Sequence, residues 1–140
     1  MSQSATAPQA KPQHFNLIMD HMVILVSDMQ RSMAFYTDLL PMIGFRYVRD
    51  WVFANEQGIY LDFREAKDLE PGYRRYAPGL NHVGFTATSL QQILTVREQM
   101  QALGYEMPEL QEIQGAHAIF IKDPDGMRVE ITLYPEDETA

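Results

Sequence analysis

The chain has no cysteine. That absence excludes a disulfide framework, a thiolate metal site and a cysteine nucleophile, so any bound metal must be held by nitrogen and oxygen. Basic residues are scarce as well. Eleven Lys and Arg face 19 Asp and Glu, for a net charge of −8, which argues against nucleic acid and an anionic membrane surface as partners. No apolar run approaches the roughly 20 residues a bilayer-spanning helix needs. The N-terminus lacks the charged-then-apolar order of a secretory signal, and a cytoplasmic protein is expected. A length of 140 residues suits one compact domain with a worthwhile core.

What is present is a duplication. His21 opens a strand-like stretch, Met22 to Val26, followed by a helical segment and Gly44. His82 opens a second, Val83 to Ala87, followed by a helical segment and Gly104 at nearly the same spacing. The ends match too, because Asp62 stands four positions after Gly58 and Glu130 four after Gly126. Two histidines and two carboxylates therefore occupy corresponding places.

Residues 1–15 have no apolar periodicity and are expected to form a frayed tail, as are residues 135–140. Between them one domain, 16–134, divides into units 17–66 and 79–134 joined by a Pro- and Gly-bearing connector, 67–78. In the first unit, β-branched and aliphatic residues predict a strand from Leu17 to Val26, with Ser27 or Asp28 capping a helix from Met29 to Leu40 that Pro41 stops. Met29, Met33, Tyr36 and Leu40 form its apolar stripe. Strands follow at Phe45 to Arg49, Trp51 to Ala54 and Ile59 to Arg64. The second unit predicts a strand from Asn81 to Thr86, then a helix from Leu90 to Leu103 opened by a capping box of Ser89 and Gln92 and ended by Gly104. Its buried stripe is Leu90, Ile93, Leu94, Met100 and Leu103. Strands at Leu110 to Ile113, Ala116 to Lys122 and Met127 to Leu133 complete it, the last two joined by the turn Asp123-Pro124-Asp125-Gly126. The fold class is α+β: two tandem βαβββ units whose curved mixed sheet encloses a cleft.

Strand alternation sorts the chemistry. Arg128, Glu130 and Thr132 point away from Val129, Ile131 and Leu133, and Tyr60, Asp62 and Arg64 away from Leu61 and Phe63. If the polar faces of the two halves meet, each contributes a histidine and a carboxylate. Such a set suits Zn²⁺, Fe²⁺, Mn²⁺, Ni²⁺ or Co²⁺. His21, His82 and Glu130 are the candidate metal ligands. Asp62, one methylene shorter than glutamate, is either a fourth ligand or a neighbouring group. Taken singly, each histidine reads as a hydrogen-bonded strand residue rather than a ligand; the matched repeat positions reverse that reading.

The chain resembles the vicinal oxygen chelate superfamily of lactoylglutathione lyases, fosfomycin-modifying enzymes, extradiol dioxygenases and bleomycin-binding proteins. The likeness is carried by Asp20-His21-Met22-Val23 with Asp28 and Phe35-Tyr36, by Pro78 to Val83, and by Asp123 to Gly126 leading into Val129-Glu130. It implies a divalent metal that chelates two neighbouring substrate oxygens and stabilises the charge developing there. It also implies His21, His82 and Glu130 as ligands, with Asp62 where lactoylglutathione lyases have Glu. Asp62 and His117, whose strand adjoins that of Glu130, are the candidate catalytic bases. Tyr60, on the face of Asp62, is the preferred pocket residue ahead of Tyr47, Trp51 and Phe53, and Arg64 could receive an anionic substrate. Arg74 and Arg75 could serve the carboxylates of glutathione. The expected function is a metal-dependent lyase, isomerase or dioxygenase acting on a small oxygen-rich molecule. The alternative is a metal-free antibiotic-binding protein of the bleomycin-resistance type. A homodimer is expected, since sites in this superfamily close within a chain or across two.

Overall fold

The structure is a computed structural model describing residues 11–136. The expected tails at 1–10 and 137–140 lie outside the described residues; residues 11–20 are solvent-exposed and form no helix or strand, so the first strand begins at His21 rather than at Leu17. The first unit runs β1 (His21–Val26), α1 (Met29–Leu39), a 3-10 segment (Leu40–Ile43), β2 (Arg46–Arg49), β3 (Val52–Ala54) and β4 (Tyr60–Glu65). The second runs β5 (His82–Thr86), α2 (Leu90–Ala102), β6 (Gln111–Ile113), β7 (Ala116–Lys122) and β8 (Arg128–Leu133). Each unit builds its own four-stranded mixed sheet, ordered β1-β4-β3-β2 and β5-β8-β7-β6. The first and last strands of each unit pair in parallel and the others antiparallel. Parallel pairing requires a crossover, and in each unit the helix supplies it.

Local chemistry sets the helix boundaries. Asp28 Oδ1 accepts the Arg31 amide at 3.1 Å and so caps α1, a role Ser27 does not take. Ser89 accepts from the Gln92 amide at 3.3 Å, while the Gln92 side chain reaches back to the Thr88 amide at 2.8 Å. Pro41 does not stop the first helix. It sits at the start of the 3-10 segment, where its missing N–H costs nothing, and Gly44 ends that segment at φ 98°. Four expected stripe residues are less buried than their periodicity implies: Met33, Leu90 and Leu94 are only half-buried and Leu103 is exposed beyond the end of α2, while Val96 is buried instead.

One core joins the units. Ile24, Leu61 and Phe63 of the first sheet and Ile119, Ile121, Val129 and Ile131 of the second lie in the same buried cluster with both helices. Large side chains fully buried in this way each contribute about 1.5–3 kcal/mol. Phe45 meets Phe85 edge-on at 5.6 Å and Phe35 meets Tyr105 at 5.5 Å, both across the two units. The Asp123 to Gly126 turn is a second tie. Asp123 Oδ1 accepts the amides of Asp125 and Met127, its Oδ2 accepts the buried Tyr36 hydroxyl at 2.6 Å, and Asp125 accepts both the hydroxyl and the amide of Ser27. A motif that reads as a family signature thus also fastens the last hairpin to the first helix.

Because the apolar faces share this core, the polar faces are left open, and within one chain they do not bring three ligands together. Among the described residues no three His, Asp or Glu side chains gather in a way that could hold a metal. No helix among them is long and apolar enough to cross a membrane.

Candidate metal centre

On the second sheet, His82 lies level with Arg128, and Gly84 is level with Glu130, which in turn faces Phe120. Side chains at these paired positions share one face. There His82 Nε2 stands 3.0 Å from Glu130 Oε1. The other imidazole nitrogen is fixed by Asn81, whose Oδ1 lies 2.7 Å from His82 Nδ1. That same oxygen accepts Arg128 Nη2 at 2.7 Å, and the Asn81 amide nitrogen donates to the Arg75 carbonyl at 3.0 Å. Arginine only donates, so Asn81 Oδ1 is an acceptor and His82 Nδ1 carries the hydrogen. With Nδ1 so engaged, His82 presents Nε2 to a carboxylate oxygen. Two acceptors at that separation need a proton or a cation between them, which is the donor chemistry of half a nitrogen–oxygen metal site.

The first sheet repeats half of this arrangement. His21 Nδ1 lies 2.7 Å from Asp20 Oδ2, so the residue before each histidine orients it and leaves Nε2 pointing outward. His21 is level with Tyr60, and Val23 with Asp62. Here the carboxylate goes elsewhere: Asp62 Oδ2 accepts Arg64 Nη2 at 2.7 Å. That hydrogen bond, reinforced by the charges of Arg64, Arg49 and His21, holds the Asp62 carboxyl below its ordinary range despite some opposing desolvation. A carboxylate so stabilised is a weak proton acceptor, so its placement does not favour the role of base. Arg49 stacks over the Tyr60 ring at 5.8 Å, leaving Tyr60, Asp62, Arg64 and His21 on one open face.

His117 falls on the wrong side of its strand. In β7 it alternates with Phe120, pairs with Leu133 and Glu112, and shares the face of Ile119 and Ile121, away from Glu130. Its Nε2 lies 3.4 Å from Glu112 Oε2. Adjacency of strands was a sound inference, but pleat parity removes His117 from the Glu130 carboxylate. Trp51 stands at a turn with φ 63°, its amide donating to the Tyr47 hydroxyl at 3.1 Å, and Phe53 is core. Two cavities between the units, of about 490 and 480 Å³, are lined by aliphatic, aromatic, Thr, Asn and Gln side chains and hold no titratable group. The candidate residues His21, Asp62, His82 and Glu130 line neither of these two cavities.

Sequence reasoning missed Asn81, Arg128, Phe120 and Gly84 as parts of the site. One signal was available for Asn81, since Asp20 and Asn81 occupy the same place in the repeat.

Comparison with known proteins bears on the fold and the family. The chain is 32% identical to YqjT of Bacillus subtilis over 123 residues, covering 81% of this chain and 96% of that one. Its fold superposes on a glyoxalase-like protein of Bacillus halodurans with a TM-score of 0.75 at 24% identity, covering 83% and 95% of the two chains. It also superposes on the genomically encoded fosfomycin resistance protein FosX of Listeria monocytogenes with a TM-score of 0.62 at 19% identity, covering 91% and 100%. A family model spans residues 18–131, and the chain belongs to the Glyoxalase/Bleomycin resistance protein/Dioxygenase superfamily.

Proposed function

We propose that this protein is a metal-dependent cytoplasmic enzyme acting on a small oxygen-rich substrate, as a lyase, isomerase or dioxygenase, and that it works as a homodimer. The observation carrying the proposal is the pair His82 Nε2 and Glu130 Oε1, 3.0 Å apart with Nδ1 already committed to Asn81. His82 and Glu130 would hold a divalent metal with the third ligand, His21, drawn from the partner subunit. When bound, the metal acts as a Lewis acid toward two adjacent substrate oxygens.

Three features support the shared site. His21 presents a free Nε2 on an open face, held there by Asp20. Its strand β1 is the edge of the first sheet, and β5, bearing His82, is the edge of the second. The face and the segment leading into it are apolar yet uncovered in one chain: Leu17 is 89% exposed, Ile18 82%, Val23 46% and Leu25 62%. Large apolar side chains left exposed among the polar groups of this face support an interface there.

In this reading Asn81 and Asp20 hold the imidazoles in the ligating tautomer, and Tyr60 and Arg64 line the substrate side of the first face. Asp62 keeps the Arg64 guanidinium in place. The test is metal content of protein purified without chelator, with zinc and manganese titrations of wild type, His82→Ala and Glu130→Gln. About one metal per protomer is expected. Losing a direct ligand should cost more than the ~10–100-fold typical of losing an outer-shell partner. Metal retained equally by His82→Ala would overturn the proposal and leave the antibiotic-binding alternative.

A further inference from the structure

We infer that the substrate carries an anionic oxygen group, a carboxylate or a phosphonate, and that Arg128 with Arg75 receives it beside the His82–Glu130 pair. The inference rests on the reading above for what happens at that pair, but binding of the anion stands on separate residues.

Arg128 is a half-buried cation without a counter-charge. The arginine ion pairs among the described residues are Arg31–Asp125, Arg64–Asp62 and Arg97–Glu109, and Arg128 is in none of them. In a chain with 19 acidic residues against 11 basic ones, an arginine left unpaired so close to the site calls for an explanation. Nearby Glu130 is engaged by His82. Of the five N–H groups of the guanidinium, one is used, by Nη2 on Asn81 Oδ1, and the buried Nε has no partner among the described residues. The plane is nonetheless fixed, because Arg128 stacks on Phe120 with its central carbon 5.0 Å from the ring centroid. A stacked, half-buried guanidinium with spare donors matches the two oxygens of a carboxylate or phosphonate far better than a neutral group.

The connector adds a second cation. The Tyr73 hydroxyl donates to the carbonyls of Leu80 and Asn81, and the Asn81 amide nitrogen holds the Arg75 carbonyl, so the connector is clamped against the start of β5. Arg75 lies over the Tyr76 ring at 5.8 Å. The Tyr76 phenol is drawn below its ordinary range, chiefly by hydrogen bonding and charge from Arg75. Arg75 too has no ion pair among the described residues. Around it the connector shapes an open recess of about 650 Å³ lined by Arg74, Arg75, Tyr76, Ala77 and Pro78. Asn81 contacts both the Arg128 side chain and the Arg75 backbone, so the connector brings a second cation to the neighbourhood of Arg128, and two such cations concentrate anions even though the whole chain is acidic.

The test is titration of methylphosphonate and propionate, with propionamide as the neutral control, into ¹⁵N-labelled dimer, both chelator-treated and zinc-loaded. Saturable movement of the Arg128 Nε–H resonance by both anions and not by the amide is expected. Arg128→Gln, which can still donate to Asn81, should weaken binding at least about tenfold, with Arg128→Lys and Arg75→Gln in between. Equal anion affinity in wild type and Arg128→Gln, or equal binding of propionamide, would overturn the inference. If anions bind only the zinc-loaded form and Arg128→Gln makes no difference, the inference fails while the metal reading survives. If anions bind through Arg128 to a protein that retains no metal, the metal reading fails and this one stands.

Discussion

Glu130 reaches His82 by leaning across Gly84. Its Oε1 lies 3.6 Å from where a β-carbon on Gly84 would stand, while at the equivalent place in the first unit Asp62 lies beside Val23 and turns to Arg64 instead. The two halves of the repeat are thus alike in backbone and unlike in chemistry. One small residue on the neighbouring strand lets the carboxylate and the imidazole meet.

Gly84 has no need of glycine for its backbone, since its φ lies outside the left-handed region, and an added methyl would make only ordinary contact with Glu130. Gly84→Ala should therefore bind metal nearly as well as wild type. Gly84→Val, which copies Val23, adds branches where the carboxylate passes and should lower metal affinity about tenfold or more, with melting temperature nearly unchanged. Zinc titration by calorimetry beside thermal denaturation checks both halves of this expectation.

Asn81 joins three partners: His82 Nδ1, Arg128 and the Arg75 carbonyl. Asn81→Ala frees the imidazole to rotate and change tautomer, and metal affinity should fall about 10–100-fold. Asn81→Asp, which copies Asp20, keeps the acceptor for Nδ1 and should recover most of that loss. An Asp variant no better than the Ala variant would show that the Arg75 contact, rather than histidine orientation, is what Asn81 provides.

The backbone plan was readable from the chain because each unit repeats the same run of periodicities, and because caps such as Asp28 and Ser89 act within a few residues of themselves. That His82 and Glu130 form a candidate pair was readable for the same reason. What escaped was everything decided across strands. Whether His117 shares a face with Glu130 depends on the register of β7 with β8, and whether Glu130 can reach His82 depends on Gly84 being level with it. Neither is written in local spacing. The closure of the polar faces was likewise a matter of how two units pack, and their apolar faces claimed the interior first.

Tyr36 supplies the test of the tie between the units. Tyr36→Phe keeps the ring packed on Phe35 and Phe63, 4.9 and 4.4 Å between centroids, but leaves the largely buried Asp123 short of a donor. A loss of about 1–3 kcal/mol in urea denaturation is expected near neutral pH. Burial raises the Asp123 carboxyl above its ordinary range, and the Tyr36 hydroxyl draws it back. Removing the hydroxyl raises it further in the folded state. A carboxyl raised on folding contributes stability below its unfolded pKa, about 3.9, and loses it as pH rises through the folded value. The gap between wild type and Tyr36→Phe should therefore narrow as pH falls toward 4. A gap independent of pH would mean that the hydroxyl stabilises packing rather than the charged carboxylate.

The proposed shared site makes a prediction that no single-chain site can match. His21→Ala and His82→Ala homodimers should each lose metal, because every site in the first lacks its third ligand and every site in the second lacks its anchor. Mixing the two variants under subunit exchange produces heterodimers in which His82 and Glu130 of the His21→Ala chain face His21 of the His82→Ala chain. One of the two sites in each heterodimer is then complete, while the other lacks both imidazoles. Purified heterodimer, isolated with two affinity tags, should bind about half the metal of the wild-type dimer at near wild-type affinity. Were the ligands of each site drawn from one chain, the heterodimer would be as empty as its parents, since neither chain carries both histidines. Metal content of the doubly tagged species therefore separates the two architectures without reference to any substrate, and rescue to half occupancy requires that imidazoles from two chains meet at one ion.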